Sequence, residues 1–527
     1  MLDLVIKGGT VIDGTGAAGF RADIGIVDDR IAVVAQGIDG PGAQEIDASG
    51  LCVTPGFIDP HTHSDLTLIV DPCAQSKIRQ GVTTEIVGNC GFSGAPVLGD
   101  AHAQMSAEAA QYDLTMSWAT VSEYLGKIRD TGAALNVVPL LGHNTVRGCV
   151  LGYDDVQPTA AQQAEMERLV AEAMEQGTRG LSTGLYYPPG YYAGTDEVVG
   201  LAAVTARYGG IYASHIRGEC DTLLTAVAEA VEIGERADIV VEIAHLKVEG
   251  FSNWHLVEDL LRVLDSLQAS GARVGCDQYP YRASSTWLAA MLPYWAQTGG
   301  SESIAQRVAD PVMRATLRED WEQNQIEWQN RGGVRDWSEV LISACEERPD
   351  VLGKTIAEVA DLEHRDPLDV FFDLIIISRG QASAVWFDQN EDIVQTLMRH
   401  PLVAVGSDGA ALSPEGPLGR QRVHPRNYGT FPRVLGRYVR EKRVLALEEA
   451  VRKMTSMTAE RYSVEDRGVV REGAYADIVL FNAGAVADRS TFADPLQYPA
   501  GIPYVIVNGQ VVVEQERHTG ALPGRVL

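Results

Sequence analysis

The rhythm of hydrophobic and polar positions along this chain changes twice. Over residues 2–50, short runs of β-formers (4–6, 24–27 and 31–34) alternate with turns such as Lys7-Gly8-Gly9-Thr10 and Asp28-Asp29-Arg30, the pattern of a small antiparallel sheet. The same style returns near the other end, in 476–481 and in the runs 504–507 and 510–513, which flank the hairpin-favouring pair Asn508-Gly509. One small β-sandwich domain built from both ends, residues 1–55 plus 467–527, is expected.

Between these ends, buried strands alternate with helices, the signature of a parallel sheet. Eight strand candidates stand out: the run 56–59 leading into His61, then 83–87, 135–141, 180–182, 210–214, 239–244, 273–276 and 402–405. The clearest helix follows the capping box Thr159-Ala160-Ala161-Gln162, with Met166, Leu169, Val170, Ala173 and Met174 on one face and Gly177 as its stop. Such alternation over 56–466 predicts the α/β class and a (β/α)8 TIM-like barrel, whose functional groups gather where the strands end. The rhythm breaks at about 287–350, where Trp287, Trp295, Trp321, Trp328 and Trp337 punctuate a Glu-rich stretch. A helical insertion beside the barrel mouth is expected there, and a helical hairpin without functional role is the alternative.

Composition narrows the setting. The 527 residues are 45% hydrophobic and 7% aromatic, as in a soluble globular protein. No apolar stretch approaches the roughly 20 residues that span a bilayer, and the first residues lack the basic start and long apolar region of a signal peptide. A cytoplasmic protein is expected. The formal charge of −28 argues against nucleic acid or an anionic membrane as partner. Seven cysteines, odd in number and irregularly spaced, fit reduced thiols rather than a disulfide framework.

The chemistry lies at the strand ends. His61 and His63, two apart on an extended segment, point to one side and can share a metal ion, although an ordinary satisfied histidine pair reads the same way. Cys90 sits at a glycine-rich turn, Gly88-Asn89-Cys90-Gly91, where a buried structural thiol is the alternative. His215, His245 and Asp408 end the fifth, sixth and eighth strand candidates. Imidazole, thiolate and carboxylate are zinc ligands, and their joint placement at barrel strand ends makes a metal-assisted hydrolase the leading expectation. Lys247 shares a strand face with His245, and this makes it a candidate partner for a substrate carboxylate.

The order of β domain, Pro55-Gly56-Phe57-Ile58-Asp59-Pro60-His61-Thr62-His63, later strand-end histidines and a final Ser407-Asp408 resembles the amidohydrolase superfamily. The motif Gly88-Asn89-Cys90-Gly91-Phe92-Ser93 is similar to that of its D-aminoacylase (N-acyl-D-amino-acid deacylase) branch, as are Tyr279-Pro280-Tyr281, the stretch from His424 to Arg433, and the closing Pro523-Gly524-Arg525-Val526-Leu527. The resemblance implies zinc-dependent hydrolysis of the amide bond of an N-acyl-D-amino acid. It also implies one tight zinc on Cys90, His215 and His245, with His61, His63 and Asp408 forming a second, weaker position and full two-metal occupancy left open. Asp408 is the implied proton carrier, and Lys247, Tyr281 and Ser285 are the expected carboxylate contacts; Arg217, Arg282 and Arg426 are further anion-contact candidates for which a structural role is the favoured alternative.

Many two-metal amidohydrolases bridge their metals with a carboxylated lysine, a device unavailable here because no lysine occurs between Lys127 and Lys247. Two departures from the branch pattern concern the pocket: His245-Leu246, where many relatives carry two histidines, and Arg282, where a smaller residue is usual. Neutral, apolar side chains are the expected preference, since an acidic one needs a second committed cation and only Arg282 is an unusual candidate. The alternatives are an N-acyl-D-glutamate or N-acyl-D-aspartate deacylase, a D-dipeptidase, a cyclic-amide hydrolase, or a barrel kept only as a binding scaffold.

Overall fold

A computed structural model describes residues 2–38, 42–325, 328 and 335–527. Eight barrel strands follow one another along the chain: β1 (Phe57–Asp59), β2 (Val82–Val87), β3 (Asn136–Pro139, continued by Leu141–Gly142), β4 (Gly180–Gly184), β5 (Ile211–His215), β6 (Val240–Ile243), β7 (Val274–Gln278) and β8 (Val403–Val405). All pairings between neighbours are parallel. The ring closes just past the strand ends, where Thr62 bridges Gly409 and the His63 amide donates to the Gly409 carbonyl at 3.0 Å. Because both faces are covered, the strands read as continuous apolar runs with few polar interruptions.

Amphipathic helices wrap the ring, among them Ala160–Gln176, Leu223–Ala237 and Val257–Ser270. The first begins as its sequence dictates: the Thr159 side chain accepts from the Gln162 amide, Gln162 reaches back, and Gly177 stops the helix with a φ of 113°. Met166, Leu169, Val170, Ala173 and Met174 are its buried face.

The two ends of the chain meet in one nine-stranded sheet. Cys52–Pro55, from the N-terminal part, runs antiparallel to Ile478–Phe481 and parallel to Leu4–Val11. The sheet curls until Arg30 bridges Tyr475, enclosing Ile6, Ile24, Ile31, Val53, Ile478 and Ile506. Asn508 and Gly509 both take positive φ, the mirror-image turn that this pair favours. The final residues run beside β3, with Val137 donating to Arg525 and Leu527 donating to Val137.

The segment expected as a helical insertion over about 287–350 is larger and mixed; within it, 326, 327 and 329–334 lie outside the described residues. Helices such as Gly300–Ala309, Pro311–Gln323 and Pro367–Ile377 share a core with an antiparallel sheet of Ser284–Trp287, Ser383–Trp386 and Val340–Ala344. The central strand Ser383–Trp386 lies about a hundred residues after Ser284–Trp287 and about forty after Val340–Ala344, so no local hairpin signal betrays the sheet. Trp321, Trp328 and Trp337 pack on one another within it, whereas Trp295 is exposed.

Candidate metal centre

Three of the strand-end residues are turned inward by an unusual backbone. Cys90, His245 and Asp408 have φ values of 52°, 33° and 51°, left-handed conformations that cost a non-glycine residue roughly 1–3 kcal/mol each. Each follows a barrel strand within a few residues, and the reversal swings its side chain over the barrel axis. The glycine before the cysteine is required on two counts: Gly88 has a φ of 78°, and a Cβ there would lie 2.2 Å from the Leu140 carbonyl oxygen.

The donor atoms converge. The Cys90 Sγ lies 3.2 Å from the His61 Nε2 and 3.4 Å from the His245 Nε2, which in turn is 2.9 Å from the His215 Nδ1. The Asp408 Oδ1 is 3.0 Å from the His63 Nε2 and 3.6 Å from the His61 Nε2. Around one tetrahedral zinc, with Zn–N of about 2.0 Å and Zn–S of about 2.3 Å, ligand nitrogens stand roughly 3.3 Å apart and a nitrogen stands about 3.5 Å from the sulfur. The separations here match to within a few tenths of an ångström. His61, Cys90, His245 and Asp408 form one group able to hold a cation, and His215, Glu219 and His245 form a second that shares His245.

Electrostatics divide the site: Cys90, His215 and Asp408 are shifted toward their ligating forms, whereas the Cys90 thiolate and the facing carboxylates, against the effect of burial, raise the pKa of His61, His63 and His245. Burial opposes a Cys90 thiolate, yet His61, His245 and His215 pull the thiol well below its ordinary range. Burial lowers the pKa of His215 and favours its neutral imidazole. Asp408 is held well below the usual carboxylate range against the effect of burial, chiefly by Arg426, whose guanidinium is 2.7 Å from the Asp408 Oδ2.

Around these groups stands a supporting shell to which sequence reasoning assigned no role. Asp277, at the end of β7, faces the His61 Nδ1 at 3.3 Å and accepts the His245 amide at 2.9 Å, so it orients two candidate ligands at once. Glu219 faces the His245 Nδ1 at 3.1 Å and the His215 Nε2 at 3.6 Å. Its position four residues after His215 is the one signal that could have singled it out. Below the site, the fully buried Lys77 ammonium donates to Asp59 (2.9 Å), Ser407 Oγ (2.6 Å) and the Gly409 carbonyl (3.1 Å), clasping the segments that carry His61 and Asp408.

A cavity of about 280 Å³ opens over the centre, lined by His63, Cys90, His215, His245 and Asp408 together with Lys247, Ser285 and Arg426. Lys247 is already engaged there: its Nζ is 2.7 Å from the Glu219 Oε1 and 2.9 Å from the His245 Nδ1. Tyr281 and Arg282, expected at the substrate, do not line this cavity. The chain turns at Tyr281, whose amide donates to the Tyr279 carbonyl, so Tyr279 lines the cavity while Tyr281 packs beneath Arg433, 4.6 Å from its ring centre. Arg282 is exposed and leans over Phe387. Arg217 is also elsewhere, in a forked pair with Glu229.

Comparison with known proteins agrees with this geometry. The sequence profile of the amidohydrolase family matches residues 44–513. The chain is 36% identical over 529 residues to D-aminoacylase of Alcaligenes xylosoxydans xylosoxydans, covering 100% of this chain and 97% of that relative. A crystal structure of D-aminoacylase superposes with a TM-score of 0.83 at 34% identity over 100% of both chains; another structure of that protein addresses a binuclear metal centre with one-metal activation and second-metal attenuation. The N-acyl-D-glutamate deacylase of Bordetella bronchiseptica, solved with zinc and a phosphonate mimic of the tetrahedral intermediate, gives a TM-score of 0.84 at 35% identity over 100% of this chain and 99% of that one.

Proposed function

Because the chain belongs to the amidohydrolase family, we propose that it hydrolyses the amide bond of N-acyl-D-amino acids, releasing a carboxylic acid and a D-amino acid. The observation that carries this reading is the convergence of one thiolate, four imidazoles and one carboxylate at the mouth of the barrel. Cys90, His215 and His245 would hold a tight zinc ion, and His61, His63 and Asp408 would form a second, weaker position. A zinc ion at this centre supplies Lewis acidity, polarising the substrate carbonyl and acidifying a water molecule.

The chain's own groups do the rest. Asp408, kept ionised between His63 and Arg426, takes the proton of the attacking water and passes it to the leaving amine nitrogen. Asp277 and Glu219 hold the imidazole rings in their ligating orientation. Lys247, with Tyr279, Ser285 and Arg426 on the same cavity wall, is the anchor for the substrate carboxylate, and a fixed carboxylate plus a fixed carbonyl leave handedness to sort the remaining two groups.

Neutral, apolar side chains are the preferred ones in this reading. Among the described residues lining the cavity, Lys247 and Arg426 are the only lysine or arginine, and Arg426 already faces Asp408. An acidic side chain would enter a cavity that Glu219, Glu249 and Asp388 also line. A cytoplasmic setting is supported by seven free thiols, and no helix among the described residues is long and apolar enough to cross a membrane.

The deciding experiment measures kcat/KM for N-acetyl-D-leucine, N-acetyl-L-leucine, N-acetyl-D-glutamate and N-acetyl-D-leucinamide, alongside zinc content. The D-leucine compound should be hydrolysed fastest. Equal rates for the enantiomers, or for the acid and its amide, would refute the anchored carboxylate, and a preference for the glutamate would refute the neutral pocket.

A further inference from the structure

One joint of the barrel is built differently from the others. Every pair of neighbouring strands from β1 to β8 is joined by a ladder, whereas among the described residues β8 and β1 meet only beyond their ends. There Thr62 bridges Gly409, and the Asp408 amide donates to the His61 carbonyl at 2.9 Å. The rest of the joint is made by a side chain that belongs to neither strand. Lys77, fully buried on the short helix Gln75–Ile78, donates through its Nζ to Asp59 Oδ2 at the end of β1 and to Ser407 Oγ and the Gly409 carbonyl after β8. The same ammonium lies 3.2 Å from the Glu85 Oε1 on β2. Asp59 completes the clasp, because its Oδ1 accepts the Ser407 amide at 2.9 Å. The helix itself is pinned to the segment after β8 by Ser76, whose amide donates to the Leu412 carbonyl at 2.9 Å and whose Oγ accepts the Leu412 amide at 2.8 Å.

This joint divides the candidate ligands. Cys90, His215 and His245 follow β2, β5 and β6, strands held by ladders on both sides. His61 and His63 stand on one side of the seam and Asp408 on the other, and the contact of 3.0 Å between Asp408 Oδ1 and His63 Nε2 crosses it. Lys77 grips the residues immediately before and after Asp408, and it grips Asp59 two residues before His61. Burying an ammonium between two carboxylates adds little to stability, since desolvation offsets most of the attraction, so such a clasp is a poor device for holding a barrel together. It is a good device for fixing a distance, because each of its three donors has one acceptor.

We infer that Lys77 is a positioning residue for the base: it sets the separation between the Asp408 carboxylate and the two histidines across the seam. The inference rests on the deacylase reading for its kinetic consequence and on the seam alone for its metal-binding consequence. The tight position on Cys90, His215 and His245 does not depend on it.

Lys77→Met removes the ammonium at similar length but leaves Asp59 and Glu85 without their counter-charge. Ser407→Ala cuts only the link to the β8 side and reads the same path if the first variant does not fold. Zinc retained after dialysis, calorimetric titration of a second zinc, and kcat and KM for N-acetyl-D-leucine are measured in both. Lys77→Met should keep one tight zinc per chain, weaken the second about tenfold or more, and lower kcat about 30-fold or more with KM within about threefold, the pattern of a misplaced base. Ser407→Ala should move the same quantities about five- to tenfold, and the double variant should match Lys77→Met within about twofold, because both cut one path. A folded variant with native kcat and native second-zinc affinity, its loss confined to melting temperature, overturns the inference. Loss of the tight zinc from a folded variant overturns it too, since the whole centre would then depend on the clasp. If the native protein hydrolyses no N-acyl-D-amino acid, the deacylase reading falls and the second-zinc titration still tests the seam; a native protein that also takes no second zinc overturns both.

Discussion

Two of the buried cysteines on this barrel, Cys276 and Cys90, share almost nothing but their thiols. Cys276 lies within β7, fully enclosed, and burial followed by the Glu242 carboxylate pushes its thiol up. Cys90 lies three residues past β2 in a left-handed turn, among three imidazoles that pull its thiol down. The difference is one of position along a strand. A residue inside the ladder faces apolar neighbours chosen for packing, whereas a residue in the turn beyond it faces whatever the other strand ends bring to the axis. Residue type alone therefore says little about reactivity here; the turn makes the chemistry.

Mutagenesis can break or sharpen this contrast. The largest effect is expected for Cys90→Ala, which should empty the tight zinc site and lower kcat/KM by about 10³-fold or more while circular dichroism stays native; full zinc content by elemental analysis would instead place Cys90 with Cys276 as a packing residue. Asp408→Asn should come next, lowering kcat by about 10²-fold or more with the tight zinc retained, because it removes a base and leaves the soft ligand set intact. Loss of that zinc would make Asp408 a primary ligand. Lys247→Met should lower kcat/KM for N-acetyl-D-leucine by roughly 10-fold to 10²-fold, the worth of a charged hydrogen bond, and abolish discrimination against the leucinamide. An unchanged acid-to-amide ratio would relegate Lys247 to partnering Glu219. The smallest effect belongs to Cys276→Ala, which should cost about 1–2 kcal/mol of stability, read as a lower melting temperature, and leave kcat/KM within about twofold. A large activity loss in a folded protein would erase the distinction between the two cysteines.

The same contrast explains what the sequence disclosed. All eight barrel strands were legible because buried parallel strands leave continuous apolar runs, and the candidate ligands were legible because each stands where such a run stops. Local punctuation such as Gly88 and Gly91 around Cys90 marked the turn itself. Interactions fixed between strands were not legible. Asp277 supports His61 from across 216 residues of chain, and nothing beside it in sequence hints at that task. Tyr279 and Tyr281 differ only in phase, and the turn that sends one into the cavity and the other under Arg433 is decided by packing against the segment after β8. The sheet inside the insertion was hidden for a related reason: Ser284–Trp287 pairs with a strand that starts at Ser383, far beyond any hairpin window.

The order of the ligands along the chain also sets an order in time. Cys90, His215 and His245 are all translated before residue 250, but Asp408 and the Ser407 hydroxyl clasped by Lys77 come about 160 residues later, roughly 10–30 s at ribosomal rates of 5–20 residues per second. A nascent chain thus exposes its softest metal ligands well before its base exists, and β1 cannot be locked into the ring until β8 has emerged. The complete set of six candidate ligands therefore cannot come together until the last barrel strand has been made.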